Sequence, residues 1–142
     1  MRETVARAFC AEIDKARSAY EAGAYAEAFA FTERAHILGQ RFFIAHLQTH
    51  VWMLRIGVRR HDAREIVGQV VRLFAVIPGY LVGWIPRGNT GGANVSALKP
   101  MPVPDDLKAI LGNETVTGDV MKRVLLWSGV AIAGCITAVA LA

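Results

Sequence analysis

Apolar residues recur at helical spacing from the start of the chain. Val5, Phe9, Ile13, Ala16 and Tyr20 fall three or four positions apart, which predicts a helix over about residues 3–22, ended by Gly23. The same period predicts a second helix over about 25–38, stopped by Gly39, and a third over about 42–58. A fourth starts after Asp62, a good N-cap, and is expected to end near Ile77, ahead of Pro78. The links between these patterns are short, so neighbouring helices are expected to pack antiparallel. The pattern then breaks at residues 87–104, RGNTGGANVSALKPMPVP, which read as a loop. Its Gly and Asn content suits tight turns, so residues 88–96 are expected to be ordered against the helices. A short helix is expected over 105–111, with acidic residues in its first turn and Gly112 after its end.

Two apolar stretches stand apart from this periodicity. Residues 124–142 read VLLWSGVAIAGCITAVALA and carry no charge. As a helix they would rise about 28 Å, close to the ~30 Å hydrocarbon core of a bilayer. Lys122 and Arg123 precede them, and Trp127 lies near the start. The expected architecture is therefore all-α: antiparallel helical hairpins over residues 1–112, a linker over 113–123, and one C-terminal transmembrane helix over 124–142 acting as a tail anchor. The positive-inside rule places the N-terminal domain in the cytoplasm. Membrane lipid is then a partner, and deletion of residues 124–142 is expected to release the chain. The second stretch, LFAVIPGYLVGWIP at 73–86, is too short to span comfortably. It reads either as core or as a segment in the membrane interface.

The junction of the first two helices, YEAGAYAEAFAFTERA, resembles a tetratricopeptide repeat. Tyr20, Gly23, Tyr25, Glu27, Ala28 and Ala35 stand where that repeat has its aromatic, turn glycine, tyrosine, Glu-Ala pair and later alanine. The resemblance implies stacked helix hairpins. A wider set of motifs covers roughly residues 3–112: ERAHILGQ at 33–40, His46 with His50 and Met53, GNTGGANVS at 88–96, and PMPVPDDL at 100–107. Together they resemble a bacterial domain of unknown function of about 110 residues. That resemblance implies a bacterial source and a loose association with metal-resistance gene neighbourhoods, and it supplies no activity.

Composition narrows the classes. With 54% hydrophobic and 20% charged residues, the chain is not intrinsically disordered. The net charge of +4 is unevenly placed. Arg34, Arg41, Arg55, Arg59, Arg60, Arg64 and Arg72 face only Asp62 and Glu65 across that stretch. A basic segment suits anionic headgroups or nucleic acid. No base-reading or stacking module accompanies it, so nucleic acid is not expected. Cys10 and Cys135 are not spaced as metal ligands, and Cys10 reads as a surface-edge residue.

All four histidines lie between residues 36 and 61. On a helical wheel Glu12 falls on the apolar face of the first helix. His36 falls on the inward side of the second, with Glu33 three residues before it at the edge. His46 and His50 are one turn apart on the third. The short turns place Glu12, Glu33, His36, His46 and His50 at similar heights, so they are expected to converge. Two histidines at i and i+4 on one face are a metal-binding spacing, and Glu-x-x-His on a neighbouring helix is used in carboxylate-bridged bundles. Imidazole with carboxylate suits zinc, iron, manganese or nickel. Binding is expected to fade below about pH 6, because protonated imidazole cannot ligate. Glu65 and Gln69 are placed only at the edge of the fourth helix, which argues against full di-iron chemistry. The sequence thus points to a membrane-anchored metal-binding accessory protein. A tetratricopeptide-like scaffold holding a protein partner in its helical groove, or through the transmembrane helix, without metal, is the first alternative. A small metal-dependent enzyme is the second. A purely structural polar network would account for the same residues.

Overall fold

The computed structural model describes residues 1–112 and 124–130. The expected linker and most of the expected anchor, with Cys135, lie outside the described residues. Among the described residues the chain is all-helical, with no strand. Helix α1 spans Glu3–Glu21, α2 Tyr25–Gly39, α3 Phe43–Arg59, α4 Ala63–Val82 and α5 Asp105–Leu111. Residues 124–130 form a further helix, α6.

Three-residue links join α1 to α2, α2 to α3 and α3 to α4, so each helix packs on the one before it. The apolar face of α1, from Val5 to Ala19, is buried against α2. Val5, Phe9 and Ile13 join Ala35, Leu38, Trp52 and Leu107 in the main core. Tyr20, Tyr25 and Trp52 stack edge to face, and the Arg55 and Arg59 guanidiniums cover their rings. The chain closes on itself where Arg2 donates to the carbonyls of Ile110 and Leu111, at 2.8 and 2.7 Å. Those carbonyls end α5, which packs on α1.

Helix α4 departs from expectation. Asp62 caps it as expected, accepting from the Glu65 amide at 3.0 Å. The helix then runs through Pro78 to Val82 instead of stopping near Ile77. Pro78 removes one backbone donor, but the turns on either side continue. The stop is Gly83, whose φ of 76° gives the left-handed cap that glycine adopts without a Cβ penalty.

The orientation of α4 is also reversed relative to an ordinary core helix. Glu65, Gln69 and Val76 are its buried residues, with Arg72 half-buried beside them. Val67, Val71, Phe74, Ile77, Leu81 and Val82 are exposed, Phe74 to 73%. The 73–86 stretch is therefore not a simple core segment: only Val76, Gly83, Ile85 and Pro86 in it are buried.

Residues 88–96 pack against the helices, as their composition suggested. Asn89 is 2% exposed. Its amide donates to the Ser96 and Lys99 carbonyls at 2.7 and 2.9 Å, and its Oδ1 accepts from the Gly91 amide at 2.9 Å. Gln40, just after α2, donates to the Pro86 carbonyl at 2.9 Å and accepts from the Gly88 amide at 3.0 Å. These bonds pin the loop to the end of α2. Asn89→Ala leaves two carbonyls and one amide without these partners, so a loss of about 2–3 kcal/mol is expected. Urea unfolding of the variant beside the wild type measures it.

Candidate metal centre

The turn at residues 40–42 brings the end of α2 beside the start of α3. His36 lies one turn before the end of α2, and His46 and His50 lie one turn apart on α3. All three are buried. Their ring centroids stand 4.7 Å (His36–His46), 4.9 Å (His36–His50) and 4.8 Å (His46–His50) apart. One ring nitrogen from each lies within 4.8 Å of the others.

The outer nitrogens are held by the second half of the fold. His36 Nδ1 is 2.8 Å from the Asn89 carbonyl, which can only accept, so this nitrogen carries the proton. His36 Nε2 is then a bare lone pair, and it is buried with no protein partner. His50 Nδ1 is 2.6 Å from Gln69 Oε1. The Gln69 amide nitrogen is committed to Glu65 Oε1 at 2.6 Å and the Gly91 carbonyl at 2.9 Å, so its oxygen must face His50. His50 therefore also carries its proton on Nδ1 and turns a lone pair inward. His46 Nε2 lies 3.0 Å from His50 Nε2, and with that partner it must be the donor. His46 Nδ1 is then the second buried lone pair without a partner.

Glu65 anchors this outer layer. Its carboxylate accepts from the Ala93 amide at 3.2 and 3.0 Å as well as from Gln69. Gly91 closes it. With φ of 84° it sits in the left-handed region, and a Cβ there would come within 2.7 Å of the His36 ring. A cavity of about 380 Å³ adjoins the three imidazoles. Its wall is mostly apolar, including Val76, Tyr80, Trp84, Ile85 and Leu98.

Burial keeps the imidazoles neutral. His46 is lowered to about 3, first by burial and then by His50. His50 is lowered to about 4 by burial, against an opposing bond from Gln69. His36 is pushed well below the ordinary imidazole value, by burial first and by its two histidine neighbours next. The folded state therefore binds fewer protons than the unfolded chain between about pH 6.5 and pH 4. Stability from these groups is full above the unfolded value and falls as pH drops through that window. Three such groups cost up to about 4 kcal/mol per pH unit, so a margin of about 5 kcal/mol is exhausted near pH 5 and acid unfolding is expected to set in from there downward. Circular dichroism across this range, repeated on His46→Leu, checks it: the variant should unfold at lower pH.

Of the five ligand candidates, the structure gathers the three histidines into a set and leaves the carboxylates outside it. Glu12 is buried, but its carboxylate meets Arg34 Nε at 3.2 Å and Lys15 Nζ at 3.4 Å. Arg34 also pairs with Asp106, so Glu12 belongs to the junction of α1, α2 and α5. Glu33 lies half-buried against the Thr90 region of the loop, where burial raises its pKa, with Thr90 opposing and Glu65 adding. Glu65 and Gln69 are not at the edge of α4 but buried on its inner side. Asn89, with Asn94, was expected to offer polar groups to the interior if the loop were ordered, and Asn89 does so through its carbonyl; Gly91 and the inward role of Gln69 were missed. The signal for Gln69 was the polar strip Glu65, Gln69 and Arg72 at helical spacing in an otherwise apolar helix. Cys10 is exposed and unpaired by disulfide, as expected of a surface-edge residue.

Comparison with known proteins agrees with the resemblance to an uncharacterised domain of about 110 residues. A family model described as protein of unknown function (DUF3703) matches residues 3–111. The chain belongs to this family. No curated protein and no solved structure matches it. The DUF3703 match spans α1 to α5 and every residue of the histidine cluster and its supports, and it stops before the apolar residues 124–142.

Proposed function

We propose that this DUF3703 protein is a membrane-anchored, metal-binding accessory protein whose His36, His46 and His50 take one divalent transition-metal ion. The observation that carries the reading is the pair of outer bonds, from His36 Nδ1 to the Asn89 carbonyl and from His50 Nδ1 to Gln69. Protons fixed outward on Nδ1 leave the inner nitrogens free to ligate, and such carbonyl or carboxamide partners are the usual outer support of metal-bound histidine. An imidazole network serving only packing has no use for the buried lone pair without a partner on His36 Nε2. Nitrogens bound at 2.0–2.1 Å around a tetrahedral ion stand about 3.3 Å apart. The 3.0 Å between His46 and His50 is close to that, and His36, whose ligating nitrogen lies within 4.8 Å of theirs, would have to move inward to complete the set. His46 would have to move its proton from Nε2 to Nδ1, which has no protein acceptor.

Three neutral imidazoles and no carboxylate ligand favour zinc or nickel over manganese, which prefers oxygen. A fourth position would remain for water or another ligand. The accessory role in metal homeostasis rests on this site together with the expected anchor at 124–142. The full chain, purified in detergent and dialysed against zinc or nickel, is expected to retain about one ion per chain by elemental analysis. Retention of none at neutral pH sinks the reading. The scaffold alternative then stands on the groove between α1 and α3, where Tyr20, Leu47, Val51 and Trp52 line an open surface for a protein partner.

A further inference from the structure

We propose that the outer face of α4 is a membrane-docking surface that seats residues 1–112 on an anionic bilayer. The exposed side chains of Val67, Val71, Phe74, Ile77 and Leu81 fall within an arc of about 120° at 100° per residue. Glu65, Gln69 and Arg72 occupy the opposite side, turned into the protein. The helix is thus apolar toward the outside over about 22 Å. It has the length and hydropathy of a membrane segment while only 17% of that window is buried in the protein. It does not span, because its polar side is spent on α3 and on the loop. An apolar stripe on one face with the polar face satisfied is the form of a helix lying in the interface plane.

Charge selects the kind of surface. Between residues 63 and 104 the sole acidic side chain is Glu65, which is buried, whereas Arg64 and Lys99 are exposed cations and Leu98 beside Lys99 is 67% exposed. Arg60 adds another exposed cation just before α4. Such a rim suits anionic headgroups. Continuity with the apolar tail fixes the occupant as lipid. Trp127 Nε1, in α6, donates to the Leu81 carbonyl at 3.0 Å, so the uncharged 124–142 stretch starts where the α4 stripe ends. A chain entering the bilayer there brings Leu81, Trp84 and Phe74 to its surface. The inference rests on the anchor reading for this placement and is independent of the metal.

The test uses the full chain with Cys10→Ser and Cys135→Ser, so that one new cysteine carries an environment-sensitive fluorophore. Val67→Cys, Phe74→Cys and, as an exposed control on α2, Glu27→Cys are reconstituted in phosphatidylcholine vesicles with about one quarter phosphatidylglycerol. Spin-labelled lipid is expected to quench residues 67 and 74 about fivefold more than residue 27, since interfacial helices bury their apolar face ≈ 5–10 Å deep. Quenching should weaken in phosphatidylcholine alone. Equal quenching at 74 and 27 overturns the proposal. So does 74-to-74 cross-linking with no lipid quenching, which assigns the face to a second copy. Flotation of the same vesicles reports the anchor separately: a chain that floats without quenching at 74 keeps its anchor and loses the docking surface.

Discussion

His46→Ala with His50→Ala is expected to abolish stoichiometric metal while the helices stay folded. The two residues supply two of the three converging imidazoles, and one remaining histidine cannot hold an ion against water at micromolar concentration. The fold survives because the main core around Phe9, Leu38, Trp52 and Leu107 does not include them. Gln69 Oε1 loses its donor, so a cost of about 1–3 kcal/mol is expected in the metal-free protein. Gln69→Leu separates a metal site from a packing network. It keeps all three ligands and removes the group that orients His50, together with the donor to Glu65 and the Gly91 carbonyl, so the affinity should fall about 10- to 100-fold. Glu12→Gln is the control. Its carboxylate answers to Arg34 and Lys15, so metal stoichiometry should not change. Isothermal titration with zinc on the four proteins decides: a Gln69→Leu chain that binds as the wild type does would remove the role assigned to the outer bonds.

Gly91→Ala is expected to weaken both the fold and the site. The residue holds φ of 84°, which costs an L side chain about 1–2 kcal/mol. The new methyl would also stand 2.7 to 2.9 Å from three atoms of the His36 ring. Either the loop lifts, breaking the Gly91 carbonyl bond to Gln69, or the imidazole turns and leaves the Asn89 carbonyl. A combined loss of about 2–4 kcal/mol is expected, with zinc affinity reduced at least tenfold. Thermal melts with and without zinc measure both. An unchanged melting temperature in the metal-free protein would mean that the loop does not press on His36.

Much of the fold was legible because the first three helices obey one rule. Val5, Phe9 and Ile13 on α1 face a partner three residues beyond its end, so period and turn length suffice. His36 and His46 were legible for the same reason, each lying about one turn from the 40–42 link on an inward face, and His50 follows one turn later. Two things escaped. The partner of Glu12 is Arg34, whose approach depends on where α5 folds back, and no local pattern carries that. Glu65 and Gln69 were placed only at the edge of α4, whereas they are buried. Its polar strip is inside because Glu65 and Gln69 are spent on the histidines and the loop, and that relation joins residues far apart in sequence. The extension past Pro78 follows from the same exterior: an apolar outer face continues on both sides of the proline until Gly83 ends it.

The division of labour around the imidazoles has a thermodynamic corollary. The ligating groups all come from α2 and α3, and the groups that orient them come from α4 and the Asn89–Gly91 loop. An ion bound by the histidines therefore favours the state in which α4 is docked. By reciprocity, if losing those supports weakens binding about 100-fold, the ion strengthens the docking of α4 by the same factor, about 2.7 kcal/mol. On the proposed reading such an ion would work as a latch between two halves of one domain, closed from one side through Gln69, with the proposed lipid contact of Val71 and Phe74 on the other side of the same helix.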